Sequence, residues 1–347
     1  MKKWLSILFL LLVLPSAVLA QEWPVYRAIP RSEAEGTFFD RVDPAWFNPG
    51  ETTYQNQSRK GRSDCFTFAD GAQLLVDEGY IRYEEFDGEY YMIYGDDPAH
   101  PGGPFARPSF ACEVARMVQD MEIRARYEDS PVYALENETL ETISLQQADQ
   151  AVRTLLDHLG LEGYELTRAV DMTAERIGAM GTASVEKHQQ MYNVFDRYYD
   201  FTQAQKTDEG YYLSYEKKLH GLKAANPDTV DFEVYAFVDG TGVSMFELHD
   251  GYEIGQTAFA AETLLTEAEI RACFEKDNPR REKDGFLNPD LTGMELQYGP
   301  MRAPDKKNGM VMVPVWYVTY DFTDGVRRDG WAWYSALDGK LIMDCYN

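Results

Sequence analysis

The sequence predicts an α+β protein built from tandem units, each one helix packed on an antiparallel β-sheet, preceded by a smaller α+β N-terminal region. Three observations predict it. Aromatic residues make up 14% of the 347 residues, 23 of them Tyr, a composition that favours strands. Two helix starts share one grammar, an apolar residue, then a hydroxyl cap, then an amide or acid three places later: Ile143-Ser144 with Gln147, and Leu265-Thr266 with Glu269. Each helix is followed by short β-rich runs joined by turn signals, Asp239-Gly240-Thr241-Gly242 in one half and Asp338-Gly339 in the other. Hydrophobic residues at 44% supply a core for about two domains.

The chain opens with an address rather than with structure. Lys2 and Lys3 precede an apolar run from Trp4 to Leu14, and Val18-Leu19-Ala20 has the small-residue form of a cleavage site. The run falls short of the roughly 20 residues a membrane span needs. The expectation is an exported protein cleaved after Ala20, secreted or extracytoplasmic, with no membrane span in the mature chain. The formal charge of −25 would then become −27. That excess of acid argues against nucleic acid and against an anionic membrane surface as partners.

Residues 21–62 are rich in Pro and polar residues and read as a linker or arm. Residues 63–140 read as the N-terminal α+β region. Its strands are Phe66 to Phe68, Tyr80 to Tyr83 and Glu89 to Tyr94, and its helix runs from Phe110 to Ile123, where Ala111, Val114, Ala115, Val118 and Met121 recur at helical spacing. The first helix-plus-sheet unit spans 141–262. Its helix begins at Ser144, carries a stripe of Leu145, Ala148, Val152, Leu155, Leu156 and Leu159, and stops at Gly160. Strands follow at 164–170, 211–217, 232–238, 243–248 and 254–259, with a second helical stretch at 184–200. The second unit spans 263–347, with a helix to about Lys276 and strands at 294–299, 310–322, 330–336 and 340–346.

Candidate chemistry is sparse. His100, His158, His188, His220 and His249 fall in no HExxH, His-x-His or Cys/His pattern, so no metal ligand set is assigned. No G-x-S-x-G, G-x-G-x-x-G or P-loop occurs, and neither a catalytic residue nor a cofactor is assigned. Paired acids at Glu84-Glu85, Asp96-Asp97, and Asp196 with Asp200 admit a second reading, an extracytoplasmic hydrolase, which needs two carboxyls about 5–10 Å apart in one cleft. A third reading is a calcium-binding structural envelope protein using the oxygen-rich stretches 277–285 and 321–329, although neither matches the D-x-[DN]-x-[DN]-G loop. Asn56 and Asn137 begin glycosylation-type triplets.

Two sets of residues remain. Export makes Cys65, Cys112, Cys273 and Cys345 candidate disulfides. Four cysteines allow three connectivities, of which the sequential one, Cys65–Cys112 and Cys273–Cys345, is simplest. A 273–345 bridge would contribute roughly 3–4 kcal/mol through a loop of about 70 residues. Trp316, Trp331 and Trp333 lie on C-terminal strands, and Trp331 and Trp333, two apart, share a face. They are core staples of the sheet or, if exposed, a ligand platform for sugar or peptide.

The tail carries a resemblance. Met294 to Arg302, Met312-Val313-Pro314-Val315-Trp316 and Ala336-Leu337-Asp338-Gly339-Lys340-Leu341-Ile342 resemble the C-terminal part of an uncharacterised family of exported bacterial proteins, many of them lipoproteins. They are also similar to PepSY-like and YycI-like modules, in which a P-x-W strand precedes one ending in A-x-D-G-x-(I/L). Tyr212 to Leu222 is similar to the Gly-terminated strand of those modules. The resemblance covers about 140–347. It implies a non-enzymatic extracytoplasmic binding or regulatory module of the cell envelope, modulating a protease or a sensor, or binding a wall or peptide ligand. The chain lacks the lipid-bearing Cys after the leader.

Overall fold

The computed structural model describes residues 22–31, 41–47, 55–60, 63–77, 80–91, 105–125, 140–180, 200–225, 232–283, 289–303, 309–322 and 329–346. The expected leader and the helical stretch at 184–199 lie outside these residues. No helix among the described residues is long and apolar enough to cross a membrane.

Two antiparallel sheets dominate. The larger has nine strands: β2 (Gln55–Lys60), β3 (Ser63–Thr67), β4 (Gln73–Asp77), β5 (Tyr80–Glu84), β8 (Tyr164–Met172), β9 (Gly210–Leu219), β10 (Leu222–Lys223), β11 (Glu233–Asp239) and β12 (Gly242–His249), in the order β10-β9-β11-β12-β5-β4-β3-β2, with β8 beside β9. The smaller has six: β1 (Trp23–Pro30), β13 (Tyr252–Ala261), β14 (Pro289–Arg302), β15 (Met310–Phe322), β16 (Asp329–Ser335) and β17 (Leu341–Tyr346). A short hairpin pairs β6 (Phe86–Tyr91) with β7 (Phe105–Pro108). The helices are α1 (Phe110–Ala125), α2 (Leu145–His158) and α3 (Glu267–Lys283), with a further helical segment at 174–180.

The tandem helix-on-sheet arrangement is therefore not the one observed. Strands β2 to β5 join β8 to β12 in one sheet, so no smaller α+β region precedes a first unit. Helices α1 and α2 cover opposite faces of that sheet. Alternate residues of β11 show this: Val234, Ala236 and Val238 pack with α2, whereas Phe237 packs with α1. Strand β1, from the stretch expected to be a linker, pairs with β13 and β15 in the other sheet. Strand β13, which follows β12 of the nine-stranded sheet in the chain, belongs instead to the six-stranded sheet. Hydrophobic spacing specifies which residues share a face, but it does not specify which strand lies beside which.

Local elements follow the sequence closely. Ser144 caps α2, accepting from the Gln147 amide at 3.2 Å while Gln147 Oε1 accepts from the Ser144 amide at 3.0 Å, and Ala148, Val152, Leu155 and Leu156 are buried. Thr266 and Glu269 repeat the box ahead of α3. That helix runs past Pro279 to Lys283, longer than expected, because the buried Arg281 guanidinium ties its last turns to the sheet. It donates to the Phe274 carbonyl (3.0 Å), Asn278 Oδ1 (3.0 Å), the Tyr334 hydroxyl (2.9 Å) and Asp344 Oδ2 (3.1 Å).

One proline marks how the six-stranded sheet is assembled. Pro314 faces Tyr298 of β14 on one side of β15. On the other side β15 changes partner, from β1 at Met310 to Met312 to β16 from Val315 onward. The Pro314 carbonyl accepts from Ala336 at 3.0 Å, so its missing N–H points to the same side, into the junction where no strand partner demands a donor. Tyr298 turns its own carbonyl outward to the Ala225 amide (2.8 Å), and a parallel bridge joins Ala224 to Tyr298. The two sheets meet there, over a small core of Ala28, Leu219, Ala224, Phe232, Tyr298 and Met312.

Glu85, just past β5, sits half-buried among other acids. Burial pushes its carboxyl up to about 7, and Asp239 and Asp70 push the same way, while the Tyr83 hydroxyl opposes them. A carboxyl raised in the folded state contributes stability below its unfolded value near 4.5, and this is lost as pH rises through about 7. Glu85→Gln should therefore unfold at higher temperature than the parent at pH 8 and at the same temperature at pH 5. Equal shifts at both pH values in melting curves would show that Glu85 is not the titrating group.

Candidate functional site: a cavity at the junction of the sheets

A cavity of about 500 Å³ opens where the two sheets meet. From the nine-stranded side it is lined by the α2–β8 loop (159–163) and by the end of β9 (217–220). From the six-stranded side it is lined by Tyr26 of β1, by Arg31 beyond β1, by Arg41, and by residues 253–255 of β13. The volume falls within the usual range for small-molecule sites.

Turn chemistry shapes the rim. His220 and Gly221 have φ of +50° and +80°, a pair of left-handed residues that lets β9 reverse into β10 in two residues. His220 is the one non-glycine residue with positive φ among those described, a conformation that costs about 1–2 kcal/mol for a side chain with a Cβ. Its ring packs edge-on to Trp23 at 5.4 Å. Gly163, at φ +80°, lies so close to β9 that a Cβ would stand 2.8 Å from the Lys218 carbonyl, and its own carbonyl accepts from the Lys218 amide at 2.7 Å.

Behind the lining sits a buried charge cluster. Asp250 is fully buried in the turn between β12 and β13. Its Oδ2 accepts from Arg31 Nη2 (2.9 Å), Lys217 Nζ (3.1 Å) and the Tyr164 hydroxyl (2.9 Å), and its carbonyl accepts from Arg31 Nε at 3.0 Å. Burial alone would raise the Asp250 carboxyl, but the Lys217 ammonium and the Arg31 guanidinium outweigh it and hold the carboxyl below its ordinary value. Burial, and then the Asp250 charge, push the Tyr164 phenol far up, so it stays neutral. Lys217 Nζ lies 5.3 Å from the centre of the Tyr164 ring and 5.9 Å from that of Phe232. The lining carries Arg31, Arg41, Lys217 and Lys218 with Glu162 and Glu253, and behind it Asp250 pairs with Arg31 and Lys217 while Glu216 pairs with Lys218 at 3.0 Å.

Sequence reasoning missed this cluster, because Arg31, Tyr164, Lys217 and Asp250 come from four separated segments. The Gly160 to Gly163 spacing and the His220-Gly221 reversal were its visible traces, both of them turn signals without chemistry.

The residues singled out from sequence lie elsewhere. Trp333 is buried, its ring filling space that Gly299 leaves open, where a Cβ would stand 2.1 Å away. Trp331 is half-buried on the same face, beside Tyr317 at 6.0 Å. Trp316 packs on the opposite face under α3, its Nε1 donating to the Leu265 carbonyl at 2.9 Å. The three do not form a common platform.

None of the four cysteines is joined in a disulfide. The topology explains why neither sequential pair closes. Cys65 is on β3, and Cys112 Sγ lies 3.3 Å from the Ser244 carbonyl of β12, three strand steps or about 14 Å away, against the 4.4–6.8 Å between Cα atoms that a bridge allows. Cys345 pairs with Trp331 and shares its face, whereas Cys273 packs with the residues of the other face, so the sheet lies between them. Burial pushes the Cys112 thiol up to about 12, which leaves it a poor nucleophile.

The paired acids do not converge. Glu84 accepts from Arg116 of α1 at 2.7 Å, whereas Glu85 belongs with Tyr83 on the α2 side. Asp200 caps a short 3₁₀ turn, accepting from the Thr202 amide at 3.1 Å. Asp96, Asp97, Asp196 and Asn137 lie outside the described residues, as do His100 and His188. His158 stacks on Trp46, and His249 lies between Tyr80 and Tyr235. Among the described residues no group of three or more His, Cys, Asp or Glu could hold a metal ion.

No family model matches the chain. No curated protein matches it either. Among solved structures it is similar to an uncharacterised protein from Eubacterium rectale ATCC 33656, at 12% identity and a TM-score of 0.51, over 93% of this chain and 86% of that one. That likeness is one of fold alone. The Bacillus megaterium YpeB C-terminal domain aligns over 92% of this chain and 98% of its own at 10% identity, with a TM-score of 0.29, which establishes no common fold.

Proposed function

We propose that this protein is an extracytoplasmic binding or regulatory module of the bacterial cell envelope that works without catalysis, exported after cleavage following Ala20, and that its ligand occupies the cavity at the junction of the sheets. The cavity is the observation that carries the reading: a concave space of about 500 Å³ formed jointly by both sheets and lined by charged groups drawn from five segments. A ligand held there touches β9 and β13 at once, so its presence would bias how the two sheets sit together, which is what a regulatory module requires. The leader-like sequence supports the location, and the tail resemblance supports the class.

The test is native mass spectrometry of protein purified from the envelope fraction, alongside turnover assays with peptide and cell-wall polymer. The expected result is a retained small molecule or peptide released on denaturation, and no turnover. Turnover of either substrate by the purified protein would overturn the reading.

A further inference from the structure

We infer that the cavity at the junction of the sheets recognises a small oxyanion, a carboxylate or a phosphate, with Lys217 as its innermost contact. This rests on the reading above that the cavity is a ligand site.

The argument is one of charge balance. Asp250 carries one negative charge and is already held by Arg31 through both its carboxylate and its carbonyl. Lys217 brings a second cation to the same carboxylate, with its side chain only 7% exposed. Tyr164 stays neutral, so Lys217 has one carboxylate as its ion-pair partner and shares even that oxygen with Arg31. A buried charge without a counter-charge is costly. The ring faces of Tyr164 and Phe232 offset part of that cost.

Hydrogen bonding points the same way. An ammonium has three donors, and Lys217 Nζ gives one to an oxygen, Asp250 Oδ2 at 3.1 Å. Lys217 lines the cavity, and Arg41 and Lys218, the latter paired with Glu216 at 3.0 Å, continue its wall toward solvent. An oxyanion seated against Lys217 would supply both a second counter-charge and further acceptors. Arg41, 64% exposed, makes only a long 3.9 Å contact with Glu253, which leaves it able to reach a ligand at the mouth.

Calorimetry on the purified protein tests this with three probes: succinate, inorganic phosphate and the neutral isostere succinamide. The expected result is saturable binding of succinate or phosphate, with succinamide silent. Binding of succinate alone assigns a carboxylate, and binding of phosphate alone a phosphoryl group. Lys217→Met should weaken that binding at least tenfold while leaving the ligand-free unfolding midpoint unchanged or higher, because Asp250 keeps Arg31. Arg41→Glu, at an exposed position that cannot disturb the core, should weaken it severalfold. Anion binding that both variants leave intact would overturn the assignment, as would wild-type protein that binds neither anion. Equal binding of succinamide would overturn oxyanion recognition while leaving the cavity a ligand site.

Discussion

Replacing Asp250 with alanine is expected to lower the unfolding free energy by about 3–5 kcal/mol, the usual cost of removing one partner from a buried ion cluster. The mechanism is specific. Arg31 and Lys217 are nearly inaccessible, at 5% and 7% side-chain exposure, and both direct a donor at Asp250 Oδ2. Without the carboxylate, two cations are left in a space that also loses the acceptor for the Tyr164 hydroxyl. Denaturant unfolding followed by tryptophan fluorescence reads the loss. A double change, Asp250→Ala with Lys217→Met, should recover part of it, since the Lys217 charge is gone. Asp250 is also held below its ordinary value, so its contribution is present at neutral pH and is lost as pH falls through its folded value. Asp250→Asn should therefore flatten the acid limb of the stability profile. A loss under about 1 kcal/mol for the alanine variant would show that water or neighbouring groups replace the carboxylate.

Arg281→Met should cost roughly 3 kcal/mol and loosen α3 before the rest of the molecule. Arg281 is fully buried, its guanidinium 4.1 Å from the centre of the Phe274 ring and 4.9 Å from that of Tyr320. Methionine keeps the apolar stem and removes every donor. Asp344 retains Arg280 and the Tyr320 hydroxyl, and the Tyr334 hydroxyl retains Asp277, so the loss stays below that of a fully stranded charge. Amide exchange should rise within 267–283 and remain unchanged in the nine-stranded sheet. Uniform loss of protection across both sheets would show instead that α3 and the sheets unfold as one unit.

How far the molecule could be read from its residues depends on the distance over which each signal acts. The capping boxes at Ser144 and Thr266, the Asp239 to Gly242 turn and the Asp338-Gly339 turn are all formed as the spacing indicates. So are α1 and nearly every strand after residue 160. The stretch 21–62, whose prolines at 24, 30, 44 and 49 predict a linker or arm, holds β1 and β2. Pro24 and Pro30 sit near the ends of β1, and between them Val25 and Ala28 are buried. A short strand with a proline near each end has no local signature that separates it from an extended arm. The cysteine pairing failed for a different reason. Export chemistry and spacing bear on whether bridges are favourable, whereas the faces of two sheets decide whether the sulfurs can meet.

Short-range chemistry alone therefore settled the caps, the turns, the alternation of inward and outward residues, and the strongly acidic charge. Each of these is decided within a few residues by backbone sterics, hydrogen-bond reach or simple counting. Tertiary structure decided the rest: the merging of β2 to β5 with β8 to β12, the passage of β13 into the second sheet, and the meeting of Arg31, Tyr164, Lys217 and Asp250. Strand partnership is a competition among many pairings of similar local energy, resolved only when the whole apolar surface is buried at once. The cavity exists because that resolution brings two sheets together edge to edge, and its charge is the sum of groups that no stretch of sequence holds together.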